Sequence, residues 1–224
     1  MSMQPSSIMK PISIHIPQAL QAFTVRLGSF LEKNSQYDRL VCSAFNFAPA
    51  TCPHHDAHAG NNAKTPSRLL LLRRSSTDTA FPSLWEVPGG SIDKDDPSIL
   101  HGLAREVFEE TGLRLTRFVS LVGEAIKWTT TEVEGTVNKS NDIKWLKSSF
   151  EIEVAEVGGA SETEQDVEKY LRSLPVDLDP LEHQGCAWVT EKEVRAFYEE
   201  GTGMAIVSKE QAGKMLEAFE SRKV

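Results

Sequence analysis

The stretch that most restricts this chain is Pro88-Gly89-Gly90, a polar loop, and a helical run ending near Leu113. The adjacent glycines demand a close turn. Asp96 is expected to cap the helix and Pro97 to occupy its first position, where a missing N–H costs nothing. Ile99, Leu100, Leu103, Ala104, Val107 and Phe108 recur at three- and four-residue spacing, so one broad face is apolar. Gly112 is the expected stop. Glu106, Glu109 and Glu110 then share a face at i, i+3 and i+4. Three carboxylates there repel one another, and a hard divalent cation would use them. Arg105 precedes Glu109 by one turn and could orient it through a bidentate bond. Taken alone, the glutamates fit a solvated acidic face better than a site. The glycine turn in front of them shifts that balance.

Composition narrows the classes. With 224 residues, 40% hydrophobic and 25% charged, the chain reads as a soluble globular protein able to bury a sizeable core. A net charge of −8 argues against a general binder of nucleic acid or anionic membrane. It leaves room for a phosphate-bearing small ligand, because bound cations reverse the local sign. Cys42, Cys52 and Cys186 are too few and too scattered for a disulfide framework and suit a reducing, cytoplasmic compartment. No secretory leader and no membrane-length apolar run is expected.

Along the chain, residues 1–38 read as a tail and one helix packed on the domain. That helix starts at Pro17, carries Leu20, Phe23, Leu27, Phe30 and Leu31, and stops at Asn34. Leu40–Phe47 reads as a strand. Residues 48–67 read as a long loop, whose Cys52, His54, His55 and His58 lack the spacing of a zinc site and fit a solvated segment better. Leu69 to Leu72 form a buried strand, with Arg73 and Arg74 turned to solvent. Trp85-Glu86-Val87 is a short strand entering the glycine turn.

Arg117–Trp128 is expected as a strand with a bend at Gly123, followed by a hairpin excursion over 129–142. In the next strand Phe150, Ile152 and Val154 alternate with Glu151, Glu153 and Glu156, which puts those glutamates on the solvent side. A short helix is expected within 162–172. Gly185–Val189 is a strand, Thr190 and Glu193 form a capping box, and Ser208 starts a last helix packed through Met215, Leu216 and Phe219.

From Gly89 to Leu113 the chain resembles the Nudix hydrolases. Their signature is a Gly, five residues, a Glu, seven residues, then Arg-Glu-apolar-x-Glu-Glu-x-Gly-apolar. Gly90 and the run Arg105–Leu113 match. Asp96 stands where the family has Glu, and eight residues separate it from Arg105. Trp85–Gly90 resembles the family's approach to this box, and Glu182–Val189 its late loop and strand. The resemblance implies an α/β fold with a mixed β-sheet sandwiched between helices, filling residues 39–224. It further implies hydrolysis of a nucleoside diphosphate linked to another group, with Mg²⁺ or Mn²⁺ held by Glu106, Glu109 and Glu110.

Gly89 and Gly90 would let the backbone approach the ligand, and Arg105 would orient the glutamates without touching substrate. The general base is a box glutamate or a carboxylate of another loop. Glu182 is the candidate from outside the box, with His183 and Asp179 as rivals. His101 is expected off the glutamate face, structural or exposed. The partner is expected to be a nucleotide-type small molecule, with no polymeric nucleic acid and no membrane. Any homodimer contact would involve the N-terminal helix or the 129–142 excursion. The competing reading is a non-catalytic module that binds a nucleotide or a protein with the same fold.

Overall fold

The structure is a computed structural model that describes residues 13–48, 67–134, 139–156, 169 and 171–223. The Cys52/His54/His55/His58 loop and most of the helix expected within 162–172 lie outside the described residues. Among the described residues seven strands form two sheets: β1 (Arg39–Asn46), β2 (Arg68–Arg74), β3 (Trp85–Glu86), β4 (Leu115–Leu121), β5 (Ile126–Glu134), β6 (Lys139–Val154) and β7 (His183–Thr190). In the first sheet β6 pairs in parallel with β1 along one edge and antiparallel with β5 and β4 along the other. The second sheet has the order β3-β2-β7, all antiparallel. An antiparallel bridge between Phe47 and Leu69 joins the two sheets.

The α-helices with both ends among the described residues are α1 (Leu27–Lys33), α2 (Ile99–Thr111), α3 (Glu191–Arg195) and α4 (Lys209–Ser221). Alternation along β1 and β2 explains why helices cover both faces. Leu40, Cys42, Ala44, Leu70 and Leu72 pack with Ile99, Leu100, Leu103 and Val107 of α2. Phe45, Phe47, Leu69 and Leu71 face the other way, onto Val194 of α3 and Met215, Leu216 and Phe219 of α4. Leu69 to Leu72 are all 0% exposed, so this strand is buried on both faces, as its unbroken apolar run suggests. Each large apolar side chain taken from water this way contributes about 1.5–3 kcal/mol. The mixed sheet lies between helices, as the sequence implies.

Several local expectations change. The N-terminal helix is broken into a 3-10 turn over Gln18–Phe23 and α1, with Asn34 ending the second piece as expected. His15 bridges Arg117 beside β4, so this segment forms part of the first sheet's edge. Arg117–Trp128 is not one strand. β4 and β5 follow the same edge of β6 and are separated around Gly123, whose φ is +56°. Trp128 and Trp145 stack across the β5–β6 ladder, ring centres 5.5 Å apart. Glu151 is buried and paired with Arg222, because that face of β6 is covered by the end of α4. Glu156 pairs with Arg114, and only Glu153 of the three is open to solvent. The capping box of Thr190 and Glu193 and the cap at Ser208 are as expected.

Candidate active site

The site is assembled where residues 87–92 run along the open edge of β1. Cys42 donates its N–H to Gly90 O, Ala44 donates to Pro88 O, and Ile92 donates back to Leu40 O. Gly89 has φ +135°, a conformation few other residues adopt, and a Cβ there would lie 2.3 Å from Cys42 O. At Gly90 a Cβ would lie 2.4 Å from Glu106 Oε2. The two glycines therefore do different things. The first lets the segment lie flat on β1, and the second lets Glu106 approach bare backbone.

Helix α2 supplies the carboxylates. Its cap is Ser98, whose hydroxyl accepts from His101 N, and not Asp96 as the sequence suggests. The helix starts at Ile99, beyond Pro97. It ends at Gly112, with φ +67°. Phe108 was expected on the packed face but is 52% exposed. The displaced cap gives Asp96 another task. It is buried and accepts two bonds from Arg105, from Nε and Nη2, both at 3.0 Å. The Arg105 guanidinium holds its carboxyl below the usual aspartate range. Arg105 Nη1 then donates to Glu106 Oε1 at 2.9 Å and to Glu109 Oε2 at 2.8 Å. The bidentate partner is thus Asp96, while Glu109 receives a single bond and its side chain stays 55% exposed.

Glu110 is different. It is buried and has no arginine or lysine partner among the described residues. Gly89 N–H donates to its Oε2 at 2.7 Å. Burial raises its pKa well above the usual glutamate value, the Gly89 bond opposes this, and Glu86, Glu106 and Glu182 raise it further. Burial also raises Glu106, against the pull of Arg105.

Three more residues complete the group. Glu86 of β3 is buried and paired with Arg74, which also holds Asp78; Arg74 is therefore not turned to solvent. Burial opposes charge on Glu86, but His183, Arg74 and Lys147 outweigh it and lower its pKa. His183, at the start of β7, is 3% exposed. Its Nε2 lies 3.6 Å from Glu86 Oε1 and 3.9 Å from Glu110 Oε1. Glu182 is exposed, and one of its oxygens lies within 4.8 Å of ligand atoms of both Glu110 and His183. Asp179 builds the turn that aims these two: its Oδ1 accepts from Leu181 N, and its carbonyl from Glu182 N and His183 N. That occupies Asp179 as a turn-former. His101 is exposed and bonded to Ser98, away from the carboxylates.

Sequence reasoning missed Glu86 and Lys147. Trp85 and Val87 both pack into the core beside α4, so period-two alternation sends Glu86 to the other face, toward the box. Lys147 lies on β6 opposite Val41, which itself bridges Ser91 next to Gly90. Burial lowers its pKa, while Glu86 and Glu110 raise it.

Glu106, Glu110 and Glu182, with His183, offer oxygen and imidazole donors of the kind a divalent cation takes, and Glu109 stands at the rim. The NUDIX domain family model matches residues 60–207. The m7GpppN-mRNA hydrolase NUDT17 of Danio rerio is 47% identical over 49 residues, 22% of this chain and 16% of that protein. A MutT-like protein of Streptomyces ambofaciens is 41% identical over 68 residues, 30% of this chain and 40% of that protein. The matches thus span well under two thirds of either relative. A solved MutT protein from Methanosarcina mazei Go1 aligns over 83% of this chain and 94% of its own, with a TM-score of 0.46 and 19% identity.

Proposed function

The chain belongs to the NUDIX domain family, and on that premise we propose that it hydrolyses the pyrophosphate bond of a nucleoside diphosphate linked to another group. The observation that carries this reading is the crowding of Glu106, Glu110 and Glu86 beside the Gly89–Gly90 turn, with Glu110 buried and in no ion pair with an arginine or lysine among the described residues. Such an arrangement is unfavourable until positive charge arrives. A divalent ion, Mg²⁺ or Mn²⁺, supplies that charge, orients the phosphates and acidifies water. Glu106, Glu109 and Glu110 are the residues assigned to hold it.

The remaining roles belong to the chain's own groups. Asp96 fixes Arg105, and Arg105 fixes Glu106 and Glu109, so the carboxylates are set before ligand arrives. Gly89 N–H keeps one oxygen of Glu110 in place. Lys147, whose charge Glu86 and Glu110 favour and burial opposes, is the amine assigned to this cluster. Glu182 is open to solvent and is assigned to take the proton from the attacking water. Cys42 and Cys186 are free, in keeping with a cytoplasmic location.

The substrate panel is set by this chemistry: ADP-ribose, dinucleoside polyphosphates, oxidised nucleoside triphosphates, coenzyme A and sugar nucleotides. Capped RNA joins it through the similarity to NUDT17, although the net charge of −8 disfavours contact with an RNA body. Incubation with each compound and Mg²⁺ or Mn²⁺ is expected to yield two phosphate-bearing products from at least one. A panel left intact under both ions rejects the reading.

A further inference from the structure

His183 is, with Asn46 and Gln211, one of the least satisfied buried groups among the described residues, and it is the one of the three that faces the box. Its side chain is 2% exposed, and neither ring nitrogen has a hydrogen-bond partner among the described residues. Two orphaned polar atoms weaken the fold unless something in the working protein meets them. The geometry around Nε2 is specific. Glu86 Oε1 at 3.6 Å and Glu110 Oε1 at 3.9 Å are both too far for a hydrogen bond. Two bonds of about 2.1 Å to one cation, meeting at an open angle, span roughly 3–4 Å between their donor atoms.

Only one of the two carboxylates has an oxygen to spare on this side. Arg74 already holds the Oε1 of Glu86 that faces the imidazole, whereas Gly89 N–H takes Oε2 of Glu110 and leaves its Oε1 toward His183. An oxygen of Glu182 lies within 4.8 Å of ligand atoms of both Glu110 and His183.

We propose that His183 is a metal ligand: Nε2, with Glu110 Oε1, holds one divalent cation that Glu182 faces from the solvent side. This deepens the pyrophosphohydrolase reading and rests on its metal requirement. It also predicts which ion the site prefers. Mg²⁺ takes oxygen donors almost exclusively, whereas an imidazole in the set favours a transition ion such as Mn²⁺. Metal on Nε2 fixes the tautomer with its proton on Nδ1. The rest of the box contributes differently. Glu106 and Glu109 are tied to Arg105, so they serve the outer, oxygen-only part of the site.

The experiment is titration of Mn²⁺ into the full chain, followed by EPR, with Mg²⁺ competition in parallel. Pulsed EPR of the bound Mn²⁺ is expected to show coupling to an imidazole nitrogen. His183→Asn should abolish that coupling and reduce the preference for Mn²⁺ over Mg²⁺ by at least about tenfold. Circular dichroism establishes that the variant is folded; if it is not, the wild-type spectrum decides alone. Failure of the wild type to bind Mn²⁺, bound Mn²⁺ without nitrogen coupling, or unchanged ion preference in folded His183→Asn overturns the proposal. Hydrolysis of the substrate panel is assayed on the same preparation. Nitrogen coupling without turnover supports the metal site and counts against the hydrolase reading, so the two failures are distinguishable.

Discussion

Around Arg195 the charges are matched; around Glu110 they are not. Arg195 meets Glu191 at 2.6 Å, Glu199 at 2.9 Å and Glu220 at 3.6 Å, and Lys223 meets Glu191 and Glu220, both at 2.8 Å. That group lies at the surface on α3, α4 and the residues that follow each, where water reaches every member. The box group holds Glu86, Glu106, Glu110 and Glu182, with Arg74 and Arg105 committed to Glu86 and Glu106 and the buried Lys147 shared between Glu86 and Glu110. Exposure lets a protein keep matched charges at little gain, while burial of unmatched ones destabilises it. A fold that retains the second arrangement is keeping it for a ligand.

The comparison breaks most sharply at Glu110. Glu110→Gln should lower kcat by about 10²–10⁴-fold while leaving the metal-free melting temperature unchanged or higher. The amide still accepts from Gly89 and removes a buried charge from among like charges. Calorimetry without metal and steady-state kinetics with metal read the two halves. A large fall in melting temperature would mean that Glu110 is structural.

Next comes Gly89→Ala against Gly90→Ala. At Gly89 the new Cβ meets the β1 backbone at a positive φ, so several kcal/mol of stability should be lost. At Gly90 it meets only side-chain atoms of Glu106, which can swing aside at the cost of the Arg105 bond, so the fold should survive with reduced turnover. Chemical denaturation separates them, and equal stability losses would refute the division of labour.

A smaller effect is expected at Asp96. Its pKa is depressed in the folded protein, so the unfolded chain binds more protons between that value and the ordinary aspartate pKa near 4. The Asp96–Arg105 contribution is therefore present above that window and lost as pH falls through it. In Asp96→Asn the stability difference from wild type should be full at neutral pH and shrink in acid, as measured by urea unfolding at several pH values. A difference independent of pH would contradict the pairing. Smallest is Arg195→Ala, which should leave the melting temperature within experimental scatter, because its partners are exposed and screened. A clear loss would mean that the surface group is not the passive counterpart described above.

The legible and illegible parts of the sequence divide along the same line. Patterns written within one element were readable: the buried run Leu69–Leu72, the stop at Gly112, the capping box at Thr190 and the shared face of Glu106 and Glu110. What escaped was set by residues far apart in sequence. Asp96 resembled a cap because aspartate caps helices, yet Ser98 lies closer to the first buried turn and frees Asp96 for Arg105. Glu151 alternated like a surface residue, and only the arrival of Arg222 makes its burial tolerable. Arg74 looked like the wet end of a strand until Asp78 and Glu86 folded back onto it. Lys147 carried no local sign at all, since the groups it faces come from other elements.

The seam between β1 and β6 bears on the order of events during synthesis. Arg39–Asn46 pairs in parallel with Trp145–Ile152, and His15 bridges Arg117. On the ribosome the early strand emerges with its apolar face bare and waits for about a hundred residues before its partner exists. Contacts so distant along the chain close slowly. The box helix can coil early, but Val25 O receives Ile99 N–H only when the amino-terminal segment has docked. The box carboxylates are therefore among the last groups to acquire their final surroundings, and a chain released before residue 152 would carry the whole signature without its assembled surroundings.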